Sequence, residues 1–179
     1  DLRDAVLSGG ALSGLVSGET LTLDLTNQTG VGADKNAGSG KVVTVTGATI
    51  SDGTTGLASN YAFSNASGVT ANISKATISS VSNVGVNNKT YDGSATATLT
   101  GTATFSGIIG ADSLTVAGNG EFSDKNAGTG KSVGVSGLTL GGADVGNYTL
   151  ASTTSSGVAN ITQKALTVTG VTAASRDYD

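Results

Sequence analysis

The 179-residue chain has no cysteine, histidine, methionine, proline or tryptophan. Without Cys it forms neither disulfides nor thiolate metal sites. Without His it lacks the usual general base and the commonest metal ligand. Without Met, residue 1 is not expected to be a translation start, so the sequence reads as an excerpt of a longer chain. Without Pro, stiffness between modules cannot come from polyproline. Aromatic residues are also scarce, at 4%. Charge is low, with nine Lys/Arg against thirteen Asp/Glu and no basic cluster. A stripe that could neutralise phosphates is therefore missing, which argues against nucleic acid as a partner. No apolar run approaches the roughly 18–20 residues of a membrane-spanning helix. No membrane insertion is expected of this segment.

What is present is glycine, at 28 residues, together with abundant Ser and Thr. Such composition often marks a flexible linker. Here Val, Leu, Ile and Thr alternate through most of the chain, and the charge is too low for a self-repelling coil. The reading is of folded, narrow β-modules. An acidic pI without Cys, in a chain rich in Ser, Thr, Asn and Gly, suits an extracellular bacterial protein.

The strongest feature is an internal echo. Asp34-Lys35-Asn36-Ala37-Gly38-Ser39-Gly40-Lys41 returns as Asp124-Lys125-Asn126-Ala127-Gly128-Thr129-Gly130-Lys131. Extended to Gly47 and Gly137, ten of fourteen positions agree. Asn60-Tyr61 returns as Asn147-Tyr148, Ala71-Asn72-Ile73 as Ala159-Asn160-Ile161, and Lys75-Ala76 as Lys164-Ala165. Leu21 and Leu23 match Leu114 and Val116 if the first copy carries three extra residues near Asn27-Gln28-Thr29. Short insertions at turns cost little. The chain is thus a tandem array. Tyr91-Asp92-Gly93 opens the second copy and Tyr178-Asp179 begins another. That places the repeats at 1–86 and 87–173, with 174–179 starting a third.

Secondary structure reads as all-β: two tandem small modules, β-sandwich-like or β-grasp-like, arranged end to end. Strands are expected over 94–105, 113–122, 131–140 and 158–168, and in the first copy over 5–12, 20–25, 41–50 and 69–78. Val43 and Val45 recur as Val133 and Val135 while the residues between them change, so the Val pairs should face the core. Beyond Gly47 and Gly137 the apolar parity switches, to Ala48/Ile50 and Leu138/Leu140. A β-bulge or sharp bend at each glycine would produce that slip.

Chemical motifs fall away on inspection. Gly128-Thr129-Gly130-Lys131-Ser132 resembles the end of a P-loop, but Lys125 stands where a glycine is needed and a strand pattern follows instead of a helix. Gly130-Lys131-Ser132-Val133-Gly134 fits the nucleophile-elbow pattern, which requires a His this chain lacks. The acids form no calcium-loop series, and Gly141-Gly142-Ala143-Asp144 comes nearest; a cation held by carboxylates from separate strands stays open. Asp34 and Asp124 read better as turn caps. Lys35-Asn36 and Lys125-Asn126 suggest isopeptide chemistry, yet neighbours in one turn cannot supply facing strands. Tyr61 and Tyr148 read as core residues with rim hydroxyls in preference to sugar platforms. Six glycosylation sequons, at Asn27, Asn65, Asn72, Asn88, Asn147 and Asn160, leave modification open. No catalytic, cofactor-binding or metal residue is assigned, and no enzyme activity is expected.

Three motifs of the second copy carry a family resemblance. They are Lys89-Thr90-Tyr91-Asp92-Gly93, the Asp-Lys-Asn-Ala-Gly-x-Gly-Lys stretch and Gly142-Ala143-Asp144-Val145-Gly146-Asn147-Tyr148, with Ile161-Thr162-Gln163-Lys164-Ala165-Leu166-Thr167-Val168 as an exit strand. Together they resemble the YDG-type repeats of large secreted bacterial adhesins of the filamentous haemagglutinin-like class. The first copy departs, with residues 52–60 replacing the Gly-Ala-Asp-Val-Gly-Asn run. The resemblance implies export to the cell surface and long arrays that hold a binding tip away from the cell, and it implies no catalytic residues. The expected role is a non-catalytic stalk whose partners are neighbouring repeats of the same chain, in cell adhesion and biofilm settings. Two alternatives are a self-assembling filament of identical chains and a module that binds glycans or a matrix polymer. A rod that stays monomeric in solution scattering would favour the stalk, and growth in length with concentration the filament.

Overall fold

A computed structural model describes residues 3–177, and among these the regular structure is all-β apart from two short 3-10 turns, Ala58–Asn60 and Val145–Asn147. The chain divides into two compact units between Lys75 and Ala76. In the first lie β1 (Asp4–Ala5), β2 (Leu21–Asp24), β3 (Thr29–Gly32), β4 (Gly38–Thr46), β5 (Thr49–Asp52) and β6 (Thr70–Ile73). The second holds β7 (Ala76–Ile78), β8 (Ser80–Ser82), β9 (Lys89–Thr90), β10 (Thr96–Ala97), β11 (Thr104–Ser106), β12 (Thr115–Phe122), β13 (Gly128–Gly141), β14 (Tyr148–Leu150) and β15 (Ser155–Thr162).

The same sheet is built twice. Its strand order is β1-β3-β4-β6 in the first unit and β10-β12-β13-β15 in the second, where β9 adds a parallel edge strand beside β15. All other neighbours in these sheets are antiparallel. Val43, Val45, Val133 and Val135 are all buried, as the repeated alternation predicts. Period-two side-chain alternation turns the residues between them to solvent.

The expected phase slip is present in both copies. Pairing of β12 with β13 shifts between Ala117 and Asn119, so that Gly137 and Leu138 stand opposite the single residue Gly118. Gly137 sits at φ +61°, and Leu138 behind it turns inward to 2% exposure. This is the glycine-led bulge, in which one residue takes the left-handed conformation and the following side chains change face. In the first copy the slip is wider. Gly47 (φ +87°) separates β4 from β5 altogether, and β5 pairs with β2 as a separate ribbon, Leu23 opposite Ile50. The longer connection after β2, turned by Thr26 N–H donating to Asp24 Oδ1 and Gln28 N–H to the Leu25 carbonyl, detaches β2 from β3. Their counterparts form the one continuous strand β12.

Several expected strands are shorter or absent. The run 94–105 breaks into β10 and β11 around Gly101 (φ +84°). Of 5–12 only Ala5 is in a strand, and 158–168 ends its pairing at Thr162. Residues 163–177 are exposed and belong to no strand. The division between units also falls earlier than residue 87. Sequence anchors mark the period of a repeat but not where its contacts separate. Here β7 pairs with β14 and β8 with β11, which binds residues 76–82 to the second unit. Tyr178-Asp179, read as opening a third repeat, lies outside the described residues.

The two cores are unequal. Twelve buried apolar residues form the second, including Ile78, Val81, Phe122, Val133, Leu138 and Ile161, with Tyr148 among them. Among the described residues of the first unit the buried apolar side chains are Val43, Val45 and Ala48, so that module rests on a thinner core.

Candidate functional site

Three polar constellations recur or concentrate around the sequence motifs. The first is the Asp-Lys-Asn-Ala-Gly turn. Asp34 Oδ1 accepts the Asn36 N–H at 2.8 Å, and Asp124 Oδ1 accepts the Asn126 N–H at 2.8 Å. These are the turn caps the sequence predicts. The lysine that ends the motif folds back onto the same oxygen, Lys41 Nζ at 2.5 Å and Lys131 Nζ at 2.6 Å. Lysine hydrogen bonding, then the turn amide, holds both carboxyls below their ordinary range. Across the sheet, Asn72 Oδ1 accepts the Gly40 N–H and Asn160 Oδ1 the Gly130 N–H, at 2.8 and 2.7 Å. A turn, a strand start and an adjacent strand are thereby tied together in each copy.

The second constellation surrounds the Tyr-Asp-Gly opening. Lys89 Nζ lies 2.9 Å from Asp92 Oδ1 and donates to Ser94 O, Ser94 Oγ and Thr96 O, each at 3.0 Å. It also sits 5.8 Å from the centroid of the Phe122 ring, within cation–π range. Asp92 Oδ1 accepts the Ser94 N–H at 2.9 Å. Lys89, with help from Ser94, lowers the Asp92 carboxyl to about 2. A depressed folded-state value means that this clasp favours the fold above the ordinary Asp value of about 3.9 and is lost as pH falls through about 2. We expect carbon-detected NMR titration to place the Asp92 midpoint near 2, and Lys89→Met to return it toward the ordinary range. An ordinary midpoint in the unaltered chain would mean that the clasp does not form.

The third is a tyrosine clasp. Tyr148 is buried, and its hydroxyl accepts the Ile109 N–H and donates to Asp112 Oδ2, both at 2.9 Å. In the first copy the Tyr61 hydroxyl accepts the Val16 N–H at 3.0 Å and donates to Glu19 Oε2 at 2.5 Å. Burial followed by Asp112 raises the Tyr148 phenol, and the bond to Glu19 raises that of Tyr61. Tyr148 presents no free ring face to a sugar. Glu19 and Asp112, matched acids two residues before Leu21 and Leu114, are the signal in the sequence for this clasp.

The remaining candidates have structural partners. Gly130-Lys131 feeds β13, a strand and not a P-loop helix, and Lys131 is bound to Asp124. Asp144 Oδ2 accepts the Ser113 N–H at 2.7 Å. Among the described residues no group of three or more His, Cys, Asp or Glu is placed to hold a metal ion. Of the sequon asparagines, Asn65, Asn72, Asn88 and Asn160 each accept a backbone N–H through their side-chain oxygens.

Comparison with known proteins agrees with the duplication. A family model described as the YDG domain matches residues 3–70 and again 74–155. The chain belongs to the YDG domain family. No curated protein and no solved structure matches it. The Tyr-Asp-Gly of the second YDG domain is the Lys89-held turn, and the second match begins upstream of it, so it takes in β7 and β8.

Proposed function

We propose that these YDG domains are non-catalytic spacer modules in the stalk of an extracellular bacterial adhesin, where they hold a binding region away from the cell. The observation that carries this reading is that one module occurs twice in tandem with its turn and tyrosine clasps preserved, while the polar side chains shared by the two copies hold backbone segments in place. Tandem modules of this kind add length by copy number. Their partners are then neighbouring repeats, and their place is the cell surface.

The test is to change the number of YDG domains in the parent protein on its own cells. Immunogold label against residues 3–177 should lie outside the cell. Adhesion should follow the length of the array, whichever copy is removed. Label confined to the cell interior, or saturable binding of the purified chain to a glycan array, would overturn the stalk reading.

A further inference from the structure

Two aspartates of this chain precede a glycine, Asp52 and Asp92, and the fold guards the two pairs differently. The nitrogen that follows an aspartate can attack the side-chain carboxyl and rearrange the main chain. Glycine, with no side chain, shields that nitrogen least. At Asp52-Gly53 the nitrogen is engaged. The Gly53 N–H donates to the Gly56 carbonyl at 3.1 Å, and a Cβ on Gly53 would lie 1.9 Å from the Thr20 carbonyl oxygen. At Asp92-Gly93 no heavy atom beyond the adjoining residues comes within 4 Å of the corresponding Cβ position, and the glycine sits at φ +83°. Restraint there falls on the carboxyl.

That carboxyl is held by one oxygen. Asp92 Oδ1 takes the Lys89 ammonium, the Ser94 N–H and, at 3.1 Å, the Ser94 hydroxyl. These bonds aim it at Ser94 and not at the Gly93 nitrogen. They also keep it ionised, and a carboxylate has no hydroxyl to lose. Lys89 holds the group at about 2, so at neutral pH its protonated fraction is roughly 80-fold below that of an ordinary aspartate. The side chain is 55% exposed, and solvent screening trims that factor. Asp34 and Asp124 hold lysine ammonium groups in the same way, but lysine, not glycine, follows each.

We propose that Asp92-Gly93 is a latent isoaspartate site in the Tyr-Asp-Gly turn, and that the Lys89 clasp keeps it closed. When the clasp opens and the carboxyl takes a proton from solvent, the Gly93 nitrogen bonds to Asp92 Cγ. The carboxyl hydroxyl leaves with the amide proton as water, and a five-membered succinimide remains. Water then opens the ring. Cleavage at Cγ restores aspartate, and cleavage at the main-chain carbonyl gives isoaspartate, with no net change in composition. The product carries one extra methylene in the main chain and a free α-carboxylate, and it has lost the cap on the Ser94 N–H. On either side of the turn the register is fixed, by the Tyr91 N–H on the Thr162 carbonyl and the Phe122 N–H on that of Ala95, both at 2.8 Å. The longer turn therefore releases β9, which pairs through only Lys89 and Thr90, and leaves β15 as a bare sheet edge. The chemistry is the same whether or not the modules serve as a stalk.

Incubation at neutral pH in ¹⁸O-labelled water tests this. Each passage through succinimide places one heavy oxygen at residue 92, and electron-based fragmentation separates isoaspartate from aspartate. A free peptide of residues 87–97 gives the unrestrained rate. Asp92 in the full chain should label at least about tenfold more slowly than in the peptide, the ionisation factor after screening. Lys89→Met should come within a few-fold of the peptide, and Lys89→Arg, which keeps the charge, should stay near the unaltered chain. Hydrogen exchange over β12 and β13 reports whether the Met variant is folded. If it is not, Ser94→Ala, which removes one bond to Oδ1, should still speed labelling severalfold. Labelling of the unaltered chain at the peptide's rate overturns the proposal. So does a folded Met variant as slow as the unaltered chain, an Arg variant as fast as the Met variant, or, where the Met variant unfolds, no acceleration in Ser94→Ala.

Discussion

Gly47→Ala should unfold the first YDG module, whereas Gly137→Ala should cost the second only about 1–2 kcal/mol, the penalty of a left-handed non-glycine residue. The two glycines occupy the same place in the repeat, and both have positive φ, +87° and +61°. What differs is the space beside them. A Cβ on Gly47 would lie 2.0 Å from the Asn27 carbonyl oxygen and 2.9 Å from its carbon. On Gly137 the nearest atom would be Asn119 Nδ2 at 3.5 Å, an ordinary contact. The obstruction at Gly47 is backbone, so relief requires moving the Asn27–Gln28 connection that leads into β3. Register between β3 and β4, with Thr29 opposite Thr46, begins there. Adding a displaced connection to conformational strain brings the expected loss to about 4 kcal/mol or more, the exceptional class of single substitutions. That is most of the stability of a small domain. Peptide-resolved hydrogen exchange on the whole chain reads the two cases separately. Protection over 29–46 that survived Gly47→Ala within about 1 kcal/mol would contradict the argument.

The same contrast shows what was legible in the sequence. The Val43/Val45 and Val133/Val135 alternation, and its reversal after each glycine, are local patterns, and the backbone obeys them. The sequence could not reveal that the slip is one bulge in the second copy and a complete break in the first. That depends on how the longer connection after β2 packs. Nor was the boundary at Lys75 legible, since a repeat can be cut at any phase until its pairings are known. Residues 76–82 are joined to the second module by three-residue strands whose partners, Tyr148–Leu150 and Thr104–Ser106, are far away in sequence. Strands that short carry no periodic signal of their own. The lysine clasps were hidden for a related reason. Lys41 and Lys131 lie on strands but serve turns seven residues earlier, and only the folded geometry brings ammonium and carboxylate together. The Asp caps were legible because an Asx turn closes within two residues.

Phe122→Ala should remove about 3–5 kcal/mol from the second module, the usual range for emptying a buried aromatic site. Phe122 is 2% exposed at the end of β12, paired opposite Val133. Its ring also lies beneath the Lys89 ammonium. The substitution therefore opens a cavity and strips the aromatic face from the cation that fastens the Tyr-Asp-Gly turn. The first module makes a useful comparison. It carries Gly32 at the matching position of β3, between the same turn and the same valine pair, and among its described residues only three apolar side chains are buried. A YDG sheet thus forms around either residue, and Phe122 contributes stability, not topology. Hydrogen exchange should show protection falling across β12, β13 and β15 while β3 and β4 keep theirs. The Asp92 carboxyl should titrate higher as Lys89 loses its seat. A loss below about 1 kcal/mol would mean that the neighbours collapse into the vacated volume. In that case the thin first core, and not the aromatic one, would represent what this sheet requires.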